Sequence, residues 1–209
     1  MDRGQAFPIY VVVVAGLLFA ALAFFVIGQA FVRRSDAQGA ADAAALAAGR
    51  EARDGVLLTL DLAALKPADW KKILDGDFFK IGEACAAAEA FAAKNDATTT
   101  SCKPTFPTVL VTVKTNGTVG DSVIPDTGSM HGTATATAQI ESRCHLDAVP
   151  PPSPTPTPTA PPEGGSPAPS PTPSTVNFTC DGELVKFDPL KPGSLTALTQ
   201  KLFSVRLVG

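Results

Sequence analysis

The chain has 209 residues, 45% of them hydrophobic but only 7% aromatic and 18% charged, and seventeen Lys+Arg against twenty Asp+Glu leave a formal charge of −3. That balance, with no clustered basic face, argues against a nucleic-acid partner. Twelve of the nineteen prolines fall between Pro150 and Pro173 and the longest apolar run lies near the N-terminus, so roughly 130 residues remain to build a core, enough for one small domain.

The first element is the run Pro8 to Val32, PIYVVVVAGLLFAALAFFVIGQAFV, twenty-five residues without a charge. As a helix it would span about 37 Å, more than the ~30 Å hydrocarbon core of a bilayer. A cleaved signal peptide has an apolar region of only ~7–15 residues. The expectation is therefore a cytoplasmic N-terminus (1–7) and a retained transmembrane helix (8–32), with Pro8 in the first turn, where its missing N–H costs nothing. Arg33 and Arg34, counted alone, would keep the C-terminal body in the cytoplasm. The four cysteines, all after the helix and without a CxxC pair, and a long Pro/Thr/Ser tract favour export instead. Large domains translocate with little regard to flanking charge. The expected protein crosses the plasma membrane once, with its C-terminal body extracytoplasmic.

Next comes SDAQGAADAAALAAGREARD, an Ala-rich juxtamembrane helix (33–54) by propensity. Ser35 or Asp36 can cap a new helix, or the membrane helix can simply run on. Ala37, Ala41, Ala44, Ala45 and Ala48 leave a smooth face on which another helix can sit. Within the apolar run Gly16 and Ala20 form a small-xxx-small pair that lets helices approach. Gly16, Ala20, Ala37, Ala41, Ala44 and Ala48 are thus the helix-packing candidates.

The block RGQAF, the apolar run and RRSDAQGAADAAALAAGR together resemble the N-terminal region of TadE/TadG-like proteins of Tad (Flp) pilus systems, most closely in AADAAALAA at 40–48. CAAAEAFAAKNDATTTSC followed by TVLVTV is similar to actinobacterial TadE-like proteins, in which a helix bearing one Cys precedes a strand after a second. The resemblance covers roughly the first 115 residues. It implies a minor pilin or pilin-like assembly factor, anchored in the plasma membrane with its body outside. Pseudopilins cut by a prepilin peptidase carry Glu five residues past the cleavage-site Gly; five after Gly4 stands Ile9, so an uncleaved TadG-like anchor fits better.

The body reads as an extracytoplasmic α+β domain (55–148). Apolar Val56, Leu57, Leu58, Leu60, Leu62 and Leu65 precede Pro67, which opens a short helix with Trp70, Ile73 and Leu74; Trp70 reads as a packing anchor. A helix follows from about Gly82 to Lys94, with Ala84, Ala88 and Phe91 on one face. Strand signals begin after Cys102: Val109, Val111 and Val113 alternate, and Asn116-Gly117 is a turn dipeptide. From Thr133 to Ile140, Thr faces outward and Ala134, Ala136, Ala138 and Ile140 inward. The Pro-Thr and Pro-Ser alternation makes 149–174 a disordered, polyproline-like insertion. Residues 175–209 offer a hairpin about Asp181-Gly182, a helix near Ser194–Lys201 and a strand Phe203–Val208. This piece is too short to bury its own core, so it should add strands to the sheet formed upstream. The fold class is α+β: a long N-terminal helix, then a small antiparallel sheet packed on helices, pilin-like by the resemblance.

Four cysteines permit three pairings. Cys85–Cys102 follows the TadE-like pattern, and Cys144–Cys180 would bracket the Pro-rich tract; each bridge would contribute ~3–4 kcal/mol by the chain-entropy model. His131 and His145 with Cys144 and Asp147 invite a metal reading, but strand neighbours point to opposite faces. The Gly-rich turns carry no following Lys, so they are not phosphate cradles. No catalytic motif, metal site, cofactor or small-molecule substrate is indicated. The expected partners are the lipid bilayer and other Tad/pilin-like membrane proteins, reached by helix packing. The rival reading is an anchored surface-binding domain unrelated to pili.

Overall fold

The computed structural model describes residues 6–79, 82–121, 126–147 and 175–209. The Pro-rich insertion at 149–174 and Gly4 lie outside the described residues. α1 runs unbroken from Ala6 to Gly55, fifty residues, or about 75 Å. The apolar run and the Ala-rich stretch are thus one helix: neither Ser35 nor Asp36 starts a new one, because no Pro interrupts and alanine supports helix throughout. Three more helices follow, α2 (Pro67–Asp75), α3 (Ala84–Lys94) and α4 (Leu195–Leu202). The strands are β1 (Ala97–Thr105), β2 (Thr108–Thr118), β3 (His131–Ser142), β4 (Cys144–Leu146), β5 (Val176–Cys180), β6 (Glu183–Phe187) and β7 (Phe203–Val208). The class is α+β. The sequence suggested one sheet; there are two, ordered β1-β2-β3-β7 and β4-β5-β6. Of the C-terminal strands only β7 joins the first, while the hairpin β5-β6 pairs with β4, a strand too short to show in the sequence pattern.

The chain divides into two compact units, one of Met1–Arg50, Ile81–Gln139 and Arg206–Gly209, the other of Glu51–Lys80 and Ile140–Val205. In the first, β1 and β2 form a hairpin through the cis Phe106-Pro107 bond, and β2 pairs antiparallel with β3. Val109, Val111 and Val113 stand opposite Ala138, Ala136 and Ala134. A bulky residue beside a methyl on each rung gives a shallow apolar face, all of it buried except half-buried Ala134. On the other face the Thr112 and Thr135 hydroxyls hydrogen-bond at 2.9 Å. β1 begins five residues before Cys102, so that cysteine lies within the strand rather than ahead of it. On α3 the buried side chains are Ala84, Ala88 and Ala92. Phe91 is exposed instead, its ring covered by the Lys94 ammonium at 4.6 Å. Ala92, one position on, takes the third buried place on that face.

The second unit is built on aromatics. Trp70, 1% exposed, meets Phe178 and Phe187 edge-to-face with ring centroids 5.5 and 5.3 Å away. Phe79 and Phe203 make a similar pair at 5.1 Å. Asp69 accepts from the Lys66 backbone N–H at 3.0 Å to hold the start of α2, and Ser194 Oγ accepts from Ala197 N at 3.2 Å to cap α4. Between β5 and β6, Asp181 and Gly182 both take left-handed backbone, φ 50° and 86°, the pair of positive angles that a two-residue hairpin turn requires.

Candidate functional site

The largest unsatisfied surface is the first half of α1. Phe7, Phe19, Phe24 and Phe31 are between 66% and 76% exposed, amid exposed Val, Leu and Ile. Apolar exposure on this scale marks a membrane or protein interface. Among the described residues this is the one helix long and apolar enough, by length and composition, to cross a membrane. Gly16 and Ala20 are exposed on it, and nothing stands within 4 Å of where a Gly16 side chain would begin.

The alanines downstream behave differently. Ala37, Ala41, Ala44 and Ala48 are each 0% exposed, as is Ala45. The sequence suggested a smooth face open to another helix. In the fold the chain itself covers that face, while Gln38 and Gly39 on the opposite side stay exposed. Small side chains are needed there for close approach within one molecule. Of the six candidate packing residues, Gly16 and Ala20 are on the surface and the four alanines are sealed inside.

Between these halves sits a polar collar that fixes α1 to the sheet. Arg33 Nε donates to the Thr118 carbonyl at 2.7 Å, and its Nη1 lies 3.5 Å from Asp36 Oδ2. A side chain at Gly117 would meet the guanidinium at 3.1 Å. At Gly132 a Cβ would stand 2.2 Å from the Arg33 carbonyl oxygen, so helix and strand touch backbone to backbone there. The register explains the shape. Lys114 pairs with Thr133 and Thr118 with His131, which leaves three β2 residues facing Gly132. Asn116-Gly117 is therefore part of a wide bulge inside β2, not a turn. Thr115 Oγ1 holds it, accepting from the Gly132 N–H at 2.9 Å and donating to the Gly117 carbonyl at 2.8 Å. His131 Nδ1 lies 2.7 Å from the Thr115 carbonyl. Sequence reasoning missed this collar, although Gly132 ahead of an alternating Thr/Ala strand was a usable sign of close approach.

Disulfides lock each unit. Cys85–Cys102 joins α3 to β1 with Cα atoms 5.8 Å apart, and Cys144–Cys180 links directly opposed residues of β4 and β5 at 4.0 Å. No free cysteine remains. Beside the second bridge Arg143 forms an ion pair with Asp181. His145 Nε2 is 4.0 Å from Asp147 Oδ1 on a largely exposed ring. Among the described residues no three His, Cys, Asp or Glu side chains gather where a metal could sit. Lys71 is held above its ordinary pKa by the hydrogen bond and charge of Asp75, with Nζ 2.7 Å from the carboxylate, but that pair is a surface feature of α2.

Residues 4–51 match the family described as putative Flp pilus-assembly TadE/G-like. The matched segment comprises the apolar half of α1, the collar residue Arg33 and the buried alanines. No curated protein and no solved structure matches the chain.

Proposed function

We propose, from the TadE/G-like region that the chain carries at residues 4–51, that this protein is a non-enzymatic, pilin-like component of a Tad/Flp-type pilus-assembly or secretion apparatus. The observation that carries the reading is the continuity of α1. Half of one helix is bare and apolar, and the other half forms the centre of a disulfide-bonded body. Such a helix couples any partner packed against it in the bilayer to the position of the body. No hinge separates the two halves, since Arg33 and Gly132 clamp the helix at their junction.

In this reading residues 8–32 cross the plasma membrane, the N-terminus is cytoplasmic, and the disulfides form on the oxidising side. Between lipid-facing helices association comes from close packing rather than the hydrophobic effect. Gly16 and Ala20 are where it would begin. Replacing both with Leu (Gly16→Leu, Ala20→Leu) places branched side chains in that contact while leaving the body unaltered. Co-purification with the other membrane components of the apparatus should fall sharply, with insertion and disulfide formation unchanged. Undiminished co-purification would contradict packing at this site. An anchored binding domain that works alone would show no co-purification with either chain.

A further inference from the structure

The side of α1 that meets the sheet does not stop being covered at Arg33. Ala37, Arg33, Gln29, Val26 and Ala23 follow one another at spacings of three or four, a single stripe along the helix. Val26 is 9% exposed, and Ala23 and Gln29 are half-buried, although Phe24, Phe25 and Ile27 around them are 76%, 64% and 50% exposed. Seven residues separate Arg33 from Val26, about 10 Å of helix. The chain's own fold therefore covers one side of α1 well inside the apolar run.

The direction of β3 identifies the part that reaches there. Gly132 stands against Arg33 and Ala37. Further on, Thr135, Ala136 and Thr137 lie beside Gln38 and Asp42. Strand and helix thus run the same way, and the chain just before Gly132 extends toward the lower-numbered turns of α1. That chain is the β2–β3 connection, described at 119–121 and 126–130. Its two ends are tied together where the Val119 N–H donates to the Met130 carbonyl at 2.8 Å. Met130 is 53% exposed, and Asp121, Asp126 and Ser129 are exposed as well.

Bilayer dimensions set the level at which this connection lies. The twenty residues from Pro8 to Ile27 span about 30 Å, the thickness of the hydrocarbon core. The five from Gly28 to Val32 add about 7 Å, the depth of one headgroup layer, since the polar regions add ~10–15 Å over both leaflets. Arg33, held by Thr118 and Asp36, then stands at the outer edge of that layer. A connection reaching below Arg33 toward Val26 falls among the headgroups. Its carboxylates keep it out of hydrocarbon, where an ionised group is costly.

We infer that the β2–β3 connection is a second membrane contact, resting in the lipid headgroup layer beside α1, with Met130 as the apolar side chain it offers there. The inference rests on the reading of residues 8–32 as a membrane helix. Helix and connection are joined at the collar, so the body touches the bilayer at two points. It cannot swing about α1 without dragging the connection out of the interface.

The test uses the full chain reconstituted in phosphatidylcholine liposomes. All four native cysteines are bridged, so Met130→Cys supplies one free thiol for a nitroxide label. Its collisions with oxygen, which enters the bilayer, and with a water-soluble nickel chelate are read by power-saturation spin resonance. Leu18→Cys, on the bare half of α1, is the hydrocarbon reference. Thr105→Cys is the water reference, since Thr105 pairs with Thr108 at the other end of β2, about 30 Å from the connection. The Met130 label should meet the nickel chelate several-fold less often than the Thr105 label does, with an oxygen reading between the two references. If it matches Thr105 while Leu18 reads hydrocarbon, the inference is overturned and the membrane helix stands. If Leu18 itself reads water, the membrane reading beneath it is overturned. Dipolar broadening at Met130 that vanishes on mixing with unlabelled chain would assign the contact to a second copy, and would overturn the lipid contact.

Discussion

Gly132→Ala is the sharpest perturbation of the joint between helix and sheet. The new Cβ would lie 2.2 Å from the Arg33 oxygen, 2.8 Å from its carbonyl carbon and 3.2 Å from Ala37 Cβ. The two closest atoms are backbone and have no rotamer to escape into. Carbon atoms pack at about 3.5–4.0 Å, so α1 and β3 must part by about 1 Å. That separation stretches the Arg33 bond to Thr118, 2.7 Å in the native fold, and loosens the collar. Overpacking costs about 1–3 kcal/mol, and a rigid backbone on the far side places this case near the upper end. For a chain of this size ~3 kcal/mol lowers the unfolding midpoint by about 6–12 °C. The assay is thermal unfolding of the detergent-solubilised chain by far-ultraviolet circular dichroism, with Gly39→Ala as control. Gly39 lies within α1 and has nothing within 4 Å of its would-be Cβ, so that change should stabilise by about 0.5–1 kcal/mol through helix propensity alone. If Gly132→Ala melts with the wild type, or the two variants shift alike, helix and strand do not meet as described.

In the second unit, Trp70→Ala removes the ring on which Phe178 and Phe187 both converge and should cost about 3–5 kcal/mol by chemical denaturation. A loss under ~1 kcal/mol would mean that those rings do not form a core. The double variant Cys144→Ser, Cys180→Ser opens a loop with a sequence separation of 36, which the chain-entropy model values at about 3.8 kcal/mol. The same denaturation should show that loss, and a variant as stable as the wild type would leave the bridge no part in holding β4 to β5.

Much of this architecture was legible because local pattern and burial agree. The valine and alanine alternations on β2 and β3, Pro67 at the start of α2, Ser194 before α4 and Asp181-Gly182 between β5 and β6 each carry a local cause. The failures arose where tertiary contacts override local signals. Asn116-Gly117 has the residues of a turn, yet Thr115 ties it into a bulge. Phe91 has helical spacing for the core, but the face that α3 buries runs through Ala84, Ala88 and Ala92. β1 went unseen because Thr98, Thr99 and Thr100 look polar, although β-branched residues favour strands. The Ala-rich face raised a different problem. Composition announces close packing but cannot say whether the partner is another chain or the same one, and only burial distinguishes the two. The collar depends on residues from three separate segments, Arg33, Thr115 and Gly132, which no local pattern connects.

The account depends most on which side of the membrane the body occupies. Leu184 is 54% exposed on β6, and all four native cysteines are bridged, so Leu184→Cys supplies a single free thiol on the body. Intact cells expressing that variant are treated with a membrane-impermeant maleimide, before or after permeabilisation. The account predicts full labelling of intact cells with no increase on permeabilisation. Labelling that appears only once the membrane is opened would put the body in the cytoplasm and contradict it.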